Sequence, residues 1–339
     1  MARIVMADDG IAFDGVSFEH GPLGGAETAF VSLAEALARR GHEVLVRNHC
    51  EAPLRHKGVD WARLDDGLPD RAELYIANRG DKLLPLMPQA GRTVFWIHNP
   101  ASYLLKPRYL VKLWRLRPTI VFIGAFHRAS YPWWAPRVPC VVIPYGISEA
   151  FRDVAKPMAV PRPRAIFTSN PMRGLDWLLD LWTRAIRPAV AGAELHVFSG
   201  AATYGGRRAA DMQAILDRAV ATPGVVVHAP LAKSALAKEL AASRVMLYRG
   251  DPGETFCLAV GEAQAAGVPC VVQDIGCVAE RVIDGETGYV ARDDDAFVRD
   301  AVTLLTDDAL WQRQSEAAWA TQRSLTWDAA ARAFERLIP

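Results

Sequence analysis

Val245-Met246-Leu247-Tyr248, followed by Gly253-Glu254-Thr255-Phe256-Cys257-Leu258-Ala259-Val260-Gly261-Glu262-Ala263 and closed by Gly267-Val268-Pro269, is the stretch that decides the fold. The apolar run of four reads as a strand, and 258–266 as a helix stopped by the glycine and proline after it. A helix start carries unpaired N–H groups and the positive end of the dipole, so it holds an anion or a sugar hydroxyl. Glu254 falls beside that end, with Glu262 about two turns further along on a similar face. On spacing alone two readings stand. Either these are acceptors for a polyhydroxylated, phosphorylated ligand, or an ordinary helix carries one first-turn and one solvated glutamate.

The same alternation of strand and helix fills the chain on either side. Strands are expected at 4–7, 43–48, 74–77, 93–98, 119–123 and 140–143, then at 164–168, 195–199, 225–228, 245–248 and 269–273. The clearest helix is 26–40, with Phe30, Leu33, Ala34 and Leu37 on one stripe and Gly41 as its stop. This pattern belongs to α/β folds whose parallel sheets are covered on both faces. Lys156-Pro157-Met158-Ala159-Val160-Pro161-Arg162-Pro163 has no periodicity and reads as a linker. The expected organisation is an N-terminal Rossmann-like domain at 1–152, a linker at 153–163 and a second Rossmann-like domain at 164–318. The run 311–337 reads as helical. At 339 residues each domain is large enough to bury its own core.

Net charge is +1, so no bulk attraction to nucleic acid is implied. The five cysteines, Cys50, Cys140, Cys257, Cys270 and Cys277, are odd in number and scattered, which favours reduced thiols in a cytoplasm over a disulfide or zinc framework. The start is too short for a signal peptide, and no apolar run reaches the roughly 20 residues of a spanning helix.

The segment from Glu254-Thr255-Phe256 to Glu262-Ala263, then Ala266-Gly267-Val268-Pro269-Cys270-Val271-Val272, Glu280-Arg281-Val282 and Asp284-Gly285-Glu286-Thr287-Gly288-Tyr289-Val290 resembles the donor-binding half of the family 4 retaining glycosyltransferases. The resemblance implies a GT-B fold, two Rossmann-like doubly wound parallel-sheet domains facing a cleft. It also implies a C-terminal helix, 319–339, that crosses back to the first domain. It implies that Glu254 and the amides of Thr255, Phe256, Cys257 and Leu258 hold the donor sugar and diphosphate, and that Glu262 takes the ribose hydroxyls. Cys257 stands where the family usually has glycine, which makes the loop less permissive.

Two further loops fit. Gly21-Pro22-Leu23-Gly24-Gly25-Ala26-Glu27 lies between the first strand and a long helix, where glycines let N–H groups approach a phosphate. Without GxGxxG spacing a flexible turn explains it as well, but it resembles the family's Gly-Gly-Ala-Glu loop, which implies a donor-binding role for Gly24 and Gly25. Ser169-Asn170-Pro171-Met172-Arg173-Gly174 opens the second domain, with Arg173 between a strand and a helix and within reach of a diphosphate. The family presents an Arg and then a Lys before the glycine. Arg173 matches the Lys, and Ser169 and Asn170 occupy the shortened stretch of the earlier Arg, so one cation replaces two. His98 follows the apolar Val94-Phe95-Trp96-Ile97. Such a histidine is commonly structural, but strand C-termini line the crevice of doubly wound sheets, and the resemblance implies contact with the donor sugar near the reacting carbon. Glu254, Arg173 and His98 are thus the candidate catalytic residues.

From Lys82 to Ser148 there are nine Lys or Arg residues and no acid. Lys106, Arg108, Lys112, Arg115 and Arg117 alternate with Leu, Tyr and Trp, and Trp133-Trp134 follow. This suits an anionic membrane surface or a lipid-linked acceptor, and equally a helix with a solvated basic face. The resulting expectation is a retaining, metal-independent hexosyltransferase of surface polysaccharide or glycolipid assembly. Its partners would be a nucleotide-sugar donor, as co-substrate rather than cofactor, and a sugar or lipid-linked acceptor. It would be cytoplasmic, peripheral at the inner membrane face. The alternatives are a sugar-nucleotide epimerase of the same architecture and a non-catalytic sugar-nucleotide-binding module. A nicotinamide oxidoreductase is disfavoured because no GxGxxG follows the first strand, and no metal-ligand cluster is legible.

Overall fold

Arg3–Asp8 is buried at five successive positions, the mark of a strand covered on both faces in the middle of a parallel sheet. A computed structural model, which describes residues 1–17, 23–155, 159–200 and 208–339, shows it there. The first sheet contains β1 (Arg3–Asp8), β2 (Glu43–Asn48), β3 (Leu54–His56), β4 (Val59–Arg63), β5 (Leu74–Asn78), β6 (Arg92–Trp96), β7 (Thr119–Phe122) and β8 (Cys140–Val142), in the order β3-β4-β2-β1-β5-β6-β7-β8. Val5 pairs with Leu45 on one side and Tyr75 on the other. All pairs are parallel except β3 with β4. That hairpin was not expected: β3 is short and charged, and its turn, Lys57-Gly58, has both φ angles positive.

Contact between residues divides the chain into two compact units, Met1–Gly146 with Leu325–Pro339, and Ile147–Ser324. In the first, α1 (Gly25–Arg39) buries Phe30, Leu33, Ala34 and Leu37. It ends in a Schellman motif, with His42 N–H donating to Leu37 O, Gly41 N–H to Ala38 O, and Gly41 at φ +88°. α2 (Pro107–Leu116) starts on its proline and ends at Arg117 in the left-handed region. α3 (Ala125–Ala129) follows β7. Val5, Tyr75, Phe95, Ile120 and Phe122 form one core with Leu104, Tyr109 and Leu113, each burial worth roughly 1.5–3 kcal/mol.

The second unit opens with α4 (Glu149–Arg152) and builds a six-stranded parallel sheet. Its strands are β9 (Arg164–Phe167), β10 (Glu194–Phe198), β11 (Val225–His228), β12 (Val245–Tyr248), β13 (Cys270–Gln273) and β14 (Gly288–Ala291), ordered β11-β10-β9-β12-β13-β14. Helices α5 (Leu175–Leu181), α6 (Ala209–Ala221), α7 (Lys233–Ala241), α8 (Leu258–Ala265), α9 (Asp294–Thr306) and α10 (Asp308–Gln322) connect and follow them. β14 was not among the expected strands; its Gly288 carries φ +145° against the Cys270 backbone. Of the expected linker, 156–158 lie outside the described residues, and 159–163 belong to the second unit.

The single helix expected at 311–337 is two. α10 stays with the second unit, and α11 (Trp327–Glu335) joins the first. The break has a local cause: Thr326 caps α11 by accepting from Ala329 N–H at 2.9 Å, a cap worth about 1 kcal/mol. α11 packs against α1, with Phe334 on Trp96 at 5.3 Å between centroids and Trp327 on Tyr145 at 5.7 Å. Arg40 joins it by ion pairs to Asp328 and Glu335.

Candidate functional site

In a doubly wound sheet the crevice forms where strand order reverses, beyond the carboxyl ends of the strands. In the second sheet that point lies between β9 and β12, so the loops after these strands share it. The β9 loop carries Arg173 and the β12 loop carries Glu254, and the two side chains meet: Arg173 Nη1 donates to Glu254 Oε1 at 2.8 Å. Tyr248 OH, at the end of β12, donates to Glu254 Oε2 at 2.8 Å. Ser169 Oγ is 3.3 Å from the same Tyr248 hydroxyl, and Ser199 Oγ fixes the Ser169 carbonyl at 2.7 Å. Asn170 Oδ1 accepts from Met172 N–H at 2.9 Å and so shapes the turn that delivers Arg173.

Glu254 is 4% exposed, and burial raises its carboxyl above the usual range against the opposing pull of Arg173 and Tyr248. For Arg173, burial works against the charge, but Glu254 leads the groups that outweigh it and its affinity for the proton rises. Both glutamate oxygens thus have partners within the protein. Adjacent strands bring Glu254 and Arg173 together, a contact that the sequence did not show.

Glu254 precedes α8 by four residues and lies in the loop, not in the helix. Cys257 is the cap and stands at φ +59°, ψ +71°, the left-handed region that glycine enters freely. It therefore occupies the conformation expected of the family's glycine, with its thiol buried and raised well above its ordinary value, first by burial and then by Glu254. Thr255 and Phe256 are buried beside it, and Arg281 stacks 4.4 Å from the Phe256 centroid. Neither the Cys257 nor the Leu258 amide donates to a described residue, so among the described residues these N–H groups of the α8 start have no partner. Glu262 sits one turn into α8, half-buried, and accepts from Lys233 Nζ of α7 at 3.2 Å. Lys233 was not singled out in the sequence, because helix periodicity on α8 says nothing of α7.

The first sheet has its own reversal, between β1 and β5, and a second polar cluster stands there. Arg79, just past β5, donates to Asp8 Oδ2 at 2.8 Å and to Glu27 Oε1 at 2.9 Å, with its own φ at +61°. Asn78 donates its amide to Asp8, so its carbonyl accepts from His98 Nε2–H, and His98 Nδ1 accepts from the Tyr145 hydroxyl. His98 lies beyond the end of β6, and burial, with Arg79 and His127 adding, holds it neutral. Both ring nitrogens have partners inside the first unit. Gly24 caps α1, where a Cβ would lie 2.3 Å from Glu27 Oε2, and Gly25 is its exposed first residue. Gly21 and Pro22 lie outside the described residues. Arg79 and Glu27 were missed as site residues: Asn78-Arg79-Gly80 reads as an ordinary turn.

The basic segment divides. Asp81, one residue before the acid-free run, pairs with Lys112 at 2.6 Å and Arg108 at 3.4 Å, whereas Lys106, Arg115 and Arg117 make no ion pair with a described residue. Tyr109 and Leu113 anchor α2, while Val111, Trp114 and Leu116 are exposed, as are Trp133 and Trp134. Among the described residues no helix is long and apolar enough to cross a membrane, and no group of three or more His, Cys, Asp or Glu side chains is placed to hold a metal.

The second unit's strand order, Arg173–Glu254 pair and helix start coincide with a family match: residues 162–307 fit the model described as Glycosyl transferases group 1. A 159-residue likeness, 30% identical, links the chain to the D-inositol 3-phosphate glycosyltransferase of Xylanimonas cellulosilytica, covering 46% of this chain and 37% of that one. Such matches span 20–37% of the first two curated relatives' lengths. Sucrose-phosphate synthase from Thermosynechococcus elongatus superposes with a TM-score of 0.75 at 15% identity, over 99% of this chain and 98% of that one. Anabaena HepE in complex with UDP-glucose gives 0.75 at 14% identity, over 99% of both. The two structural likenesses establish the GT-B fold for the chain.

Proposed function

We propose that the protein is a retaining glycosyltransferase that moves a sugar from a nucleoside-diphosphate donor to an acceptor hydroxyl. The observation that carries this is the buried Glu254, held by Arg173 and Tyr248 at the strand reversal of the second sheet and beside the open N–H groups of α8. The diphosphate binds at Arg173 and the α8 start, where its negative charge meets a guanidinium and helix dipole. Displaced from Arg173 by the phosphates, Glu254 accepts from a donor-sugar hydroxyl, and Glu262 with Lys233 takes the ribose. Thr255, Phe256, Cys257 and Leu258 supply the backbone of the phosphate cradle.

Departing diphosphate oxygen takes the acceptor proton on the same face of the sugar, so no protein nucleophile is required. Rate enhancement then comes from charge neutralisation and positioning. His98 acts through its fixed neutral tautomer, holding Asn78 and Tyr145, and no metal or further cofactor enters. The family match of 162–307 supports this reading, as does UDP-glucose in a neighbour of the same fold. We assign the acceptor to the first unit, in surface polysaccharide or glycolipid assembly, with Lys106, Arg115, Arg117 and the exposed tryptophans facing an anionic inner membrane surface.

The test is turnover of labelled UDP-, GDP-, ADP- and dTDP-sugars, with EDTA present throughout and the product anomer read by NMR. Transfer with retained configuration and undiminished by EDTA is expected. Inversion would overturn the mechanism, and binding of no nucleotide sugar in a thermal-shift panel would overturn the donor assignment.

A further inference from the structure

We propose that Arg249 is the second cation of the diphosphate site, standing in for the one missing before Arg173; this rests on the donor reading above. Arg249 directly follows β12, as the Arg173 loop follows β9, and the two strands are neighbours at the reversal. Its stem lies along Gly174, the residue next to Arg173. A Cβ on Gly174 would be 2.6 Å from Arg249 Cβ and 3.1 Å from its Cδ, and Gly174 has φ +86°. Glycine there lets the two arginine-bearing loops close on each other.

The charge of Arg249 is also available. Its guanidinium lies 5.0 Å from the Trp177 ring centroid, and Nε donates to the neutral amide oxygen of Gln273 at 3.3 Å. It makes no ion pair with a described residue. Asp294, the acid that shares these neighbours, accepts instead from Trp177 Nε1, Gln273 Nε2 and Arg184. The other cations near the site bring countercharges of their own: Arg173 has Glu254, Lys233 has Glu262, and Arg281 lies 3.9 Å from Glu280 against the Phe256 ring. With Arg173 and Glu254 cancelling, a diphosphate would meet no net positive side-chain charge from the described residues of these loops unless Arg249 contributes. Contact with the Trp177 ring restrains the guanidinium, whose planar donor fork suits bidentate phosphate contact.

The experiment is calorimetric titration of the full chain with UDP, GDP and ADP, each beside its monophosphate, for the parent, R249Q, R249M and R249K. Both neutral variants keep a stem against Gly174, so R249M serves if R249Q does not fold. For the base that the parent binds, R249Q or R249M weakens the diphosphate by about tenfold or more and the monophosphate by less than about threefold. R249K recovers part of the diphosphate affinity. An unchanged diphosphate affinity, or equal loss for diphosphate and monophosphate, overturns the assignment and leaves Arg249 as packing for Trp177 while the donor reading stands. A parent that binds none of the three diphosphates overturns the donor reading and this assignment with it.

Discussion

Arg173→Ala removes the guanidinium bonded to Glu254 and leaves that carboxyl, 4% exposed, with Tyr248 as its remaining strong donor. Losing one member of a buried pair costs about 3–5 kcal/mol when the other charge has no escape. Here it has one, because the carboxyl takes up a proton. At pH 7, for a group whose ordinary value is 4.5, that costs about 1.4 kcal/mol for each of about 2.5 pH units, so the loss is capped at about 3.5 kcal/mol. Arg173 is 40% exposed at its side chain, and solvent screening lowers the figure further. We expect about 1–3 kcal/mol of destabilisation at pH 7. The sign follows from the direction of the shift. Glu254 is raised in the folded protein, and more so without Arg173, so the penalty is present above its folded value and fades as pH falls towards 4.5. Urea unfolding of parent and variant should therefore show a difference that shrinks between pH 8 and pH 5. Glu254→Gln, which keeps an acceptor for Arg173 and carries no buried charge, should cost less, and its cost should not grow as pH rises. Equal costs of Arg173→Ala at both pH values, or a larger cost for Glu254→Gln, would refute the charge-pair account.

Glu262→Ala should weaken nucleoside-diphosphate binding by about 1–3 kcal/mol in calorimetry, and unchanged affinity would remove it from the site. Cys257→Gly should be more stable than Cys257→Ala by about 1 kcal/mol in thermal melts, because both lose the thiol and only glycine is unstrained at φ +59°; the reverse order would place the strain elsewhere. Replacing Lys106, Arg115 and Arg117 by Gln should abolish salt-sensitive sedimentation with acidic vesicles, the reach of such charges being about 8 Å at physiological strength. Arg108 and Lys112, tied to Asp81, should contribute less, and equal binding to neutral vesicles would make the segment a solvated face.

Much of the fold was legible because its signals are local. Runs such as 74–77 and Val245–Tyr248 are apolar throughout, and α1 has a clean stripe and a glycine stop. What was missed lacked that contrast. β3 is three residues long with Arg and His in it, and Gly288–Ala291 begins on a glycine that reads as a turn. The break between α10 and α11 hid because a threonine cap at Thr326 is a weak punctuation mark beside a glycine or proline.

For the site, motif and residue type located the loops but not the partnerships across them. Glu254 and Arg173 were each visible, yet their bond depends on β9 and β12 being neighbours, which strand order decides and periodicity does not. The same holds for Asp8 and Arg79 across β1 and β5, where the arginine looked like part of a turn. In both sheets an acid and an arginine meet at the reversal, so each cluster neutralises its own cation before any ligand arrives. An anionic ligand must then replace a carboxylate as a partner of the guanidinium. Its affinity depends on how cheaply that carboxylate is released, and the raised proton affinity of Glu254 shows that burial already works against its charge at the donor-side reversal.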